Sequence, residues 1–380
     1  MISPLDISQR SLIVFRIALG LFSCCDLLSR ISSITAFCSD ESVLPRSVLL
    51  ESEAHDLASV SVWLCGGSVA FAYSMLLIMA AISIAFAIGY YPRASAVALF
   101  VLYLSLHCRC PFTINGGDSV LRLLFFWAIF LPLDGTQRLS KLASGAFLMQ
   151  LFLIYFSNGM TKSGTAWTTD FTAVRDSLLL EHITSPFGSW LSKQSTLTTA
   201  LTVATLAIER IGAFLIFVPV CRGNLRRILV LVFWSFHIGI GLTLSLWNFS
   251  IVMCIAWIPL IPDNSWGTLF CVQPLSFADD SKHITLLQRC ILVVSMLLVV
   301  GGNIRTIWLP DRYPAEISRL ELILGLGQRW KMFAPSPMIS DRWIILAAKL
   351  DNDSEIDLWT NNTVILEKPH NLRTHMKNRY

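Results

Sequence analysis

Lys162 is the residue of this chain whose type and position best suit acid–base chemistry. It lies in the stretch SNGMTKSGTAW, residues 157–167, directly after a long apolar run, and Trp167 follows five positions later. A lysine held in a dry pocket can give up its charge and then accept a proton. A lysine at the end of a membrane span can instead extend its ammonium to the lipid head groups, with a tryptophan at the same interface. The residues alone favour this second interpretation.

Other ionisable side chains lie within or beside the apolar segments, where each one needs a partner or a function. Asp26 and Arg30 are four positions apart in the first segment, so they can pair on one face of a helix. Arg16 has no partner at that spacing and must find one on another helix. Asp118 follows a pair of glycines at a polar connection and is well placed to cap the next helix.

The second half of the chain places Glu209 and His237 in apolar segments. Two roles stay open for Glu209, which are pairing with an arginine such as Arg16 or lining a buried polar site. A lone histidine in an apolar helix is more often a hydrogen-bonded core residue than a catalyst, although an intramembrane position favours function. Gly239 and Gly241 follow His237 and are expected to let another helix approach closely.

Membrane-spanning helices must position these side chains, because the composition is that of an integral membrane protein. The chain has 380 residues, of which 54% are hydrophobic and 14% charged, whereas a soluble domain carries about 25% charged residues. The net charge of +4 is spread along the chain, and no basic run with interleaved aromatics indicates a nucleic-acid partner. No spacing of His and Cys suits a metal site. The N-terminal residues lack the pattern of a cleaved signal peptide, so the first segment is expected to stay in the membrane.

The hydropathy pattern predicts an all-α integral membrane bundle of about eight or nine transmembrane helices, since a span takes about 20 apolar residues. Only Trp247-Asn248 separates the seventh and eighth segments, which should therefore form a tight helical hairpin. The predicted segments are 11–34, 67–89, 93–108, 119–134, 142–160, 198–221, 226–246, 248–263 and 284–302.

Residues 9–302 are predicted to form the transmembrane bundle, and residues 303–380 a small extramembrane appendage. The appendage contains RWKMFAPSP, interpreted as a plug that seats it against the bundle, and WIILAAKLDNDSEIDLW, which predicts a β-hairpin around an Asn-Asp-Ser turn. Basic residues in the short loops favour a cytoplasmic N-terminus. This orientation puts Lys162 and the C-terminal tail on the exterior or lumenal side.

The cysteines allow one possible disulfide, whose formation the sequence does not decide. Several of the ten lie inside apolar segments, where a thiol behaves as a small buried hydrophobe. Cys108 and Cys110 are too close in sequence to bridge each other easily. A disulfide from one of them to Cys38 requires that these loops face an oxidising compartment.

A series of motifs occurs in order along the chain, namely FRIALGLFSCCDLLSR, DESVLPR, RCPFTINGGDSVLR, YFSNGMTKSGTAW, ATLAIER, FHIGIGLTLSLWNFSIVM and RWKMFAPSP. Together they resemble the horizontally transferred transmembrane (HTTM) domain family, whose membrane core is shared with vitamin K-dependent gamma-glutamyl carboxylase. The similarity extends from about residue 9 to about residue 345.

The resemblance implies a helical membrane core with an active site towards the lumenal side. In the carboxylase, a lysine followed by tryptophan at the spacing of Lys162 and Trp167 is the base linked to oxygenation of vitamin K hydroquinone. Vitamin K hydroquinone or another quinone is therefore the implied cofactor. The family's His-Ser-Tyr stretch is replaced here by Gly117-Asp118-Ser119-Val120, and its large lumenal region is missing, so a complete carboxylase is not expected.

Two functional hypotheses follow. The first is a quinone-linked modifying enzyme, lyase-like, with Lys162 as base and a pocket drawn from Asp118, Glu209, His237, Trp167 and Arg16. The second is a non-enzymatic membrane factor for maturation or export of a peptide or protein partner. The enzyme hypothesis predicts that Lys162, Asp118 and at least one of Glu209 and His237 converge on one outward-facing cavity. The hypothesis of a non-enzymatic factor predicts that an arginine pairs with Glu209 and that Lys162 is exposed to the lipid head groups.

Overall fold

Helices make up most of the computed structural model. The described residues are 5, 7–51, 61–133, 140–218, 222–267, 285–309, 314–341, 345, 347–350, 354–357 and 362–368. In chain order the helices are α1 (Gln9–Ser29), α2 (Ile34–Cys38), α3 (Arg46–Glu51), α4 (Val69–Ile88), α5 (Pro92–Arg109), α6 (Gly116–Ala128), α7 (Lys141–Thr161), α8 (Thr165–Thr168), α9 (Ala173–Ser177), α10 (Pro186–Leu191), α11 (Ser195–Arg210), α12 (Arg222–Leu244), α13 (Trp247–Trp257), α14 (Leu286–Trp308) and α15 (Ala315–Ile323).

Five helical stretches among the described residues are long and apolar enough to cross a membrane. They comprise α1 with α2, then α4, α7, α12 and α14. Their bounds as spans are Gln9–Cys38, Val69–Ile88, Lys141–Thr161, Gly223–Leu244 and Leu286–Trp308. The chain therefore has the helices of a membrane protein, as its composition predicts.

Each of the nine predicted segments contains a helix, but several of these helices are short. Helices α6, α11 and α13 have 13, 16 and 11 residues, whereas a perpendicular span takes about 20. Helix α11 ends at Arg210, and a 3₁₀ turn, Gly212–Phe217, follows it. The five long helices are confirmed as candidate spans, and the predicted total of eight or nine is not.

Local sequence signals set the ends of the long helices. Ser68 caps α4 by accepting a hydrogen bond from Phe71 N (3.1 Å). Gly89 ends the same helix with φ 86°, a left-handed conformation that glycine adopts without strain. Thr285 and Gln288 form a capping box at the start of α14. The chain therefore encodes where these helices begin and end through hydrogen bonds as well as through hydropathy.

The chain divides into two compact units. The first unit comprises Met1–Thr161, Ile208–His237 and Asn248–Trp330, and the second comprises Lys162–Ala207, Ile238–Trp247 and Lys331–Tyr380. Residues 303–330, which the sequence places in the appendage, fall in the first unit. Helix α14 also continues past the predicted boundary at residue 302 and ends at Trp308.

In the first unit, α1 packs closely on α4 because of a glycine. A Cβ at Gly20 would lie 2.7 Å from Ser83 O and 2.8 Å from Ala87 Cβ. Near this contact, Ser23 Oγ is 2.8 Å from Ser83 Oγ and 2.9 Å from Tyr103 Oη. These hydroxyls join α1, α4 and α5, so the buried polar groups are paired with one another.

Helices α12 and α13 form the hairpin predicted between the seventh and eighth segments. Trp234 Nε1 on α12 donates to Cys254 O on α13 (2.9 Å). The connection consists of Ser245 and Leu246, and Ser245 has φ 55°. The tight hairpin is confirmed, with its turn just before Trp247-Asn248.

The second unit has a small apolar cluster of its own. Phe333 packs against this cluster, whose buried members are Leu178, Leu191 and Leu244. Ser185 N donates to Thr243 O (2.8 Å), which ties the start of α10 to the end of α12. The cluster therefore gathers short helices, the end of α12 and the C-terminal segment into one body.

A three-stranded antiparallel sheet lies in the C-terminal part of the second unit. Strand β1 (Ala347–Lys349) pairs with β2 (Glu355–Asp357), and β2 pairs with β3 (Asn362–Thr363). The predicted β-hairpin is confirmed in β1 and β2, although the turn residues 351–353 lie outside the described part of the chain. The third strand was not predicted from the sequence.

Candidate functional site

The loop after α7 buries Lys162 in the second unit. Lys162 directly follows Thr161, the last residue of α7, and its side chain is 2% exposed. Its Nζ lies over the indole of Trp167, 4.7 Å from the ring centroid, which is within the range of a cation–π interaction. A side chain buried this far does not extend to lipid head groups. The prediction that Lys162 extends its ammonium to the lipid head groups is therefore wrong.

The C-terminal segment holds Trp167 in place. Trp167 is 2% exposed, and its Nε1 donates to Phe333 O (2.8 Å). Gly164 N donates to Pro335 O (2.9 Å), and a Cβ at Gly164 would lie 2.8 Å from that same oxygen. Glycine at this position thus permits the close approach of residues 333–335 to the loop that carries Lys162.

His237 lies among aromatic side chains inside the first unit. It is 1% exposed, and its Nε2 is 2.7 Å from Tyr155 Oη. Trp257 Nε1 donates to the same Tyr155 oxygen (2.7 Å). Phe233 stacks on Trp257 with ring centroids 4.0 Å apart, and the Phe249 ring centroid is 5.4 Å from that of His237. The imidazole is therefore a hydrogen-bonded core group within an aromatic cage.

One neutral tautomer of His237 satisfies more of the hydrogen-bonding groups in this cage than the other. Its Nδ1 is buried and has no hydrogen-bond partner among the described residues. Tyr155 Oη accepts from Trp257 and can donate its own proton to His237 Nε2, and this arrangement places the imidazole proton on Nδ1. In the opposite tautomer the Tyr155 proton has no acceptor in this cage, whereas Nδ1 lacks a described partner in both tautomers. His237 thus presents a buried N–H donor that suits an oxygen acceptor on a ligand.

Glu209 and Arg210 bond to adjacent residues of α7. Asn158 Nδ2 donates to Glu209 Oε1 (2.9 Å), and Glu209 is 3% exposed. Arg210 Nε donates to Gly159 O (2.9 Å). A Cβ at Gly159 would lie 2.9 Å from Glu209 Cβ, so this glycine permits the contact. The charged end of α11 is therefore fixed against the last turns of the helix that leads into Lys162.

Arg16 bonds to backbone carbonyls on other elements. Its Nη1 donates to Leu133 O (2.6 Å), and its Nε donates to Ala87 O (3.3 Å). Ala87 lies in the last turn of α4, where carbonyls lack helical partners and attract cations. These contacts give Arg16 a structural role, and they supply the partner on another helix that the sequence requires.

Asp118 takes part in two structures at the start of α6. In a capping box, Asn115 Oδ1 accepts from Asp118 N (3.2 Å), and Asp118 Oδ2 accepts from Asn115 N (2.9 Å). The second oxygen, Oδ1, accepts from Arg30 Nη2. Arg30 Nε also pairs with Asp26 Oδ2 at 2.8 Å. The predicted Asp26–Arg30 pair is confirmed. Asp118 was expected to cap the helix itself, but the N-cap residue is Asn115 and Asp118 is the third residue of the helix. Arg30 joins Asp26 and Asp118 into one buried cluster.

Arg122 is a buried charge that was not predicted as a site residue. Its Nη1 is 2.8 Å from His107 Nδ1, and its Nε and Nη2 donate to Gly325 O (3.0 Å) and Gly327 O (3.2 Å). The signal was available, because Arg122 lies within the predicted segment 119–134 and an arginine there needs partners. It attaches residues 325–327 to α6.

A glutamine pair forms a second network that was not predicted. Gln150 Nε2 donates to Gln328 Oε1 (2.7 Å), which also accepts from Trp330 Nε1 (2.6 Å). Trp127 Nε1 donates to Gln150 Oε1 (3.2 Å). Gln150 could have been found as a polar residue in an apolar helix, whereas no pattern marks Gln328. Together the two networks fasten residues 325–330 to α6 and α7.

No family model matches this chain, and no curated protein or solved structure matches it either. The resemblance to the HTTM family therefore rests on the sequence motifs and stays a prediction. Of the predicted site residues, Lys162 and Trp167 contact each other in the second unit. In the first unit, Asp118 contacts Arg30, Glu209 contacts Asn158 and His237 contacts Tyr155.

Proposed function

We propose that this chain is an integral membrane enzyme in which Lys162 is the base of a quinone-linked modification of a peptide or protein substrate. The observation that carries the proposal is the burial of Lys162 over the ring of Trp167. Ionisable groups inside a membrane protein are costly and are usually retained for a function. The motif resemblance supports the same role, because it implies that Lys162 is the base.

The indole of Trp167 suits a lysine that gains a proton during the reaction. When Nζ takes a proton from an acidic substrate group, the resulting ammonium lies over the electron-rich face of the ring. The hydrogen bond from Trp167 to Phe333 O fixes the ring in that orientation. Burial also limits the access of bulk water to the proton. Trp167 therefore stabilises the protonated form of the base.

The cage around His237 supports a quinone as the cofactor. Its Nδ1–H is a buried donor with no partner in the described part of the chain, and the neighbouring Tyr155, Phe233, Phe249 and Trp257 are aromatic. A neutral ring with an oxygen acceptor matches both properties, and this match supports vitamin K hydroquinone or another quinone as the cofactor. A bound hydroquinone supplies reducing electrons and an acidic hydroxyl proton.

The proposal includes the finer membrane topology. We infer about eight or nine spans within residues 9–302, a cytoplasmic N-terminus, and the Lys162 loop and C-terminal tail on the exterior or lumenal side. Support comes from the helix found in each of the nine apolar segments. It also comes from the basic loop residues, which favour the cytoplasmic side.

The test compares full-length Lys162→Ala and Lys162→Met with Lys193→Ala as a control, because Lys193 is an exposed lysine of the same unit. We expect both Lys162 variants to fold and to bind menadione in detergent, since the aromatic cage is unchanged. Removal of a general base should lower the rate of hydroquinone-dependent modification by about 10²- to 10⁴-fold. Neither Lys162 variant should then complement a strain that lacks the protein, whereas Lys193→Ala should complement it.

A non-enzymatic factor for maturation or export of a peptide or protein is the second candidate, and the contacts of Asp118 favour it. Both carboxylate oxygens of Asp118 are engaged, one by Asn115 N and the other by Arg30, so this residue has a structural role. Full complementation by Lys162→Ala at normal abundance would refute the enzyme and leave the factor as the better account.

A further inference from the structure

Cys38 and Cys110 meet in the first unit although they are 72 positions apart in the sequence. Cys38 ends α2, and Cys110 directly follows α5. Their Sγ atoms are 2.9 Å apart, and both side chains are buried. Cys110 Sγ also contacts Phe37 O at 3.1 Å. The two thiols are therefore in direct contact and shielded from solvent.

Arg109 fixes this contact independently of the sulfurs. Its side chain is 0% exposed, and its Nη1 donates to Leu44 O (2.9 Å) while its Nη2 donates to Ser39 O. A further contact joins Nη2 to Ser42 Oγ (3.4 Å). Because Arg109 and Ser39 are the direct neighbours of Cys110 and Cys38, these bonds hold the end of α5 against residues 38–44.

The fold selects Cys110 over the nearby cysteines. Cys108 lies within α5, whereas Cys110 directly follows it. Cys65 is exposed and Cys108 is half-buried, whereas Cys38 and Cys110 are both buried. The sequence left the choice between Cys108 and Cys110 open, and the contact between the sulfurs of Cys38 and Cys110 favours Cys110.

We propose that Cys38 and Cys110 are joined by a disulfide in the mature protein. The thiolate of one cysteine attacks the disulfide of an oxidised thiol–disulfide oxidoreductase, and a mixed disulfide forms. The thiolate of the other cysteine then attacks this mixed disulfide, which makes the Cys38–Cys110 bond and releases the oxidoreductase as a dithiol. The protons and electrons of the two thiols end on the oxidoreductase. This modification is independent of the function proposed for Lys162.

The disulfide also assigns a side of the membrane. Protein disulfides persist in oxidising compartments and are rare in the cytosol. The loop after α2 and the end of α5 therefore face the exterior or the lumen. This side agrees with a cytoplasmic N-terminus, because the first candidate span ends at Cys38. Formation of the bond requires that both segments reach this side before the oxidoreductase acts.

The direct test is mass spectrometry of the full chain, treated with N-ethylmaleimide in intact cells before lysis and digested without reduction. We expect one linked peptide pair that contains Cys38 and Cys110 and that disappears after treatment with dithiothreitol. Cys65, as an exposed thiol, should carry the maleimide. Recovery of Cys38 and Cys110 as separate maleimide adducts would overturn the proposal, as would a Cys38–Cys108 link.

Serine variants provide a second measurement. In detergent without reductant, Cys38→Ser, Cys110→Ser and the double variant should lower the midpoint of thermal unfolding by the same amount, because each breaks the same bond. Dithiothreitol should lower the unfolding midpoint of the wild type to that of the variants and should leave the midpoints of the variants unchanged. Cys65→Ser is the matched control and should behave as the wild type does. A wild-type midpoint that equals the midpoint of the serine variants in the absence of dithiothreitol would contradict the disulfide.

Discussion

Replacing Gly20 with alanine is expected to push α1 away from α4 and to destabilise the first unit. The new Cβ would lie 2.7 Å from Ser83 O and 2.9 Å from Ala87 N, and both are backbone atoms that cannot rotate away. Overpacking of a close interface costs about 1–3 kcal/mol. The same substitution favours the helix by about 1 kcal/mol, because alanine has the higher helix propensity. A control must therefore separate the two effects.

Gly145→Ala is the matched control in the same unit. Gly145 lies in α7, and the nearest atoms to a Cβ there are those of the Leu5 side chain at 3.7 Å, an ordinary contact. Both variants gain the same helix propensity, so the difference between them reports the contact of α1 with α4. We expect Gly20→Ala to be less stable than Gly145→Ala by about 1–3 kcal/mol, or about 5- to 140-fold in the unfolding equilibrium.

Titration of both variants with sodium dodecyl sulfate in mixed micelles, followed by tryptophan fluorescence, measures this difference. The slope of the transition should be the same in both variants, so that the midpoints report stability alone. If the midpoints of Gly20→Ala and Gly145→Ala coincide, α1 and α4 do not approach each other at Gly20, and the reasoning is refuted.

Two further perturbations test charged contacts. Arg30→Met should cost about 3–5 kcal/mol in the same titration, because it leaves the buried carboxylates of Asp26 and Asp118 without their shared cation; wild-type stability would contradict this cluster. Hydrogen bonds from Arg46 lower the pKa of Asp40 below its usual value of 3.8. The pair therefore stabilises the fold above that value, and this contribution is lost as the pH falls further. The small advantage of wild type over Asp40→Asn in thermal unfolding should vanish at low pH, and its persistence there would count against the contact.

Contacts between neighbours in sequence were predictable, and contacts between distant residues were not. The spacing of Asp26 and Arg30 was sufficient to predict their pair. The position of Asp118 placed it correctly near the start of a helix, but the cap itself is Asn115, three residues earlier. The bond between Arg30 and Asp118 joins residues 88 positions apart, and no local pattern encodes that separation. Helix periodicity therefore revealed the parts of this cluster but not the cluster itself.

The glycines also show that contacts between packed elements cannot be predicted from local sequence patterns. Gly239 and Gly241 were both expected at a helix contact, but only Gly241 is crowded, since a Cβ there would lie 2.7 Å from Trp247. Apart from its chain neighbours and the backbone of its own helix, no described atom lies within 4 Å of a Cβ at Gly239. Their spacing places them on different helical faces, and only the packed structure shows which face is covered. The same reason explains Lys162, because its burial depends on where the loop after α7 folds and not on its position at the end of an apolar run.

The contacts of residues 333–335 with the Lys162 loop have a consequence for biosynthesis. Gly164 N and Trp167 Nε1 donate to Pro335 O and Phe333 O. The ribosome adds these two residues after every long apolar helix of the described part of the chain has been made. A nascent chain that stops after α15 can insert all of those helices, yet its lysine loop stays uncovered. Completion of these contacts is therefore a late event in synthesis, and a product truncated before residue 333 lacks them.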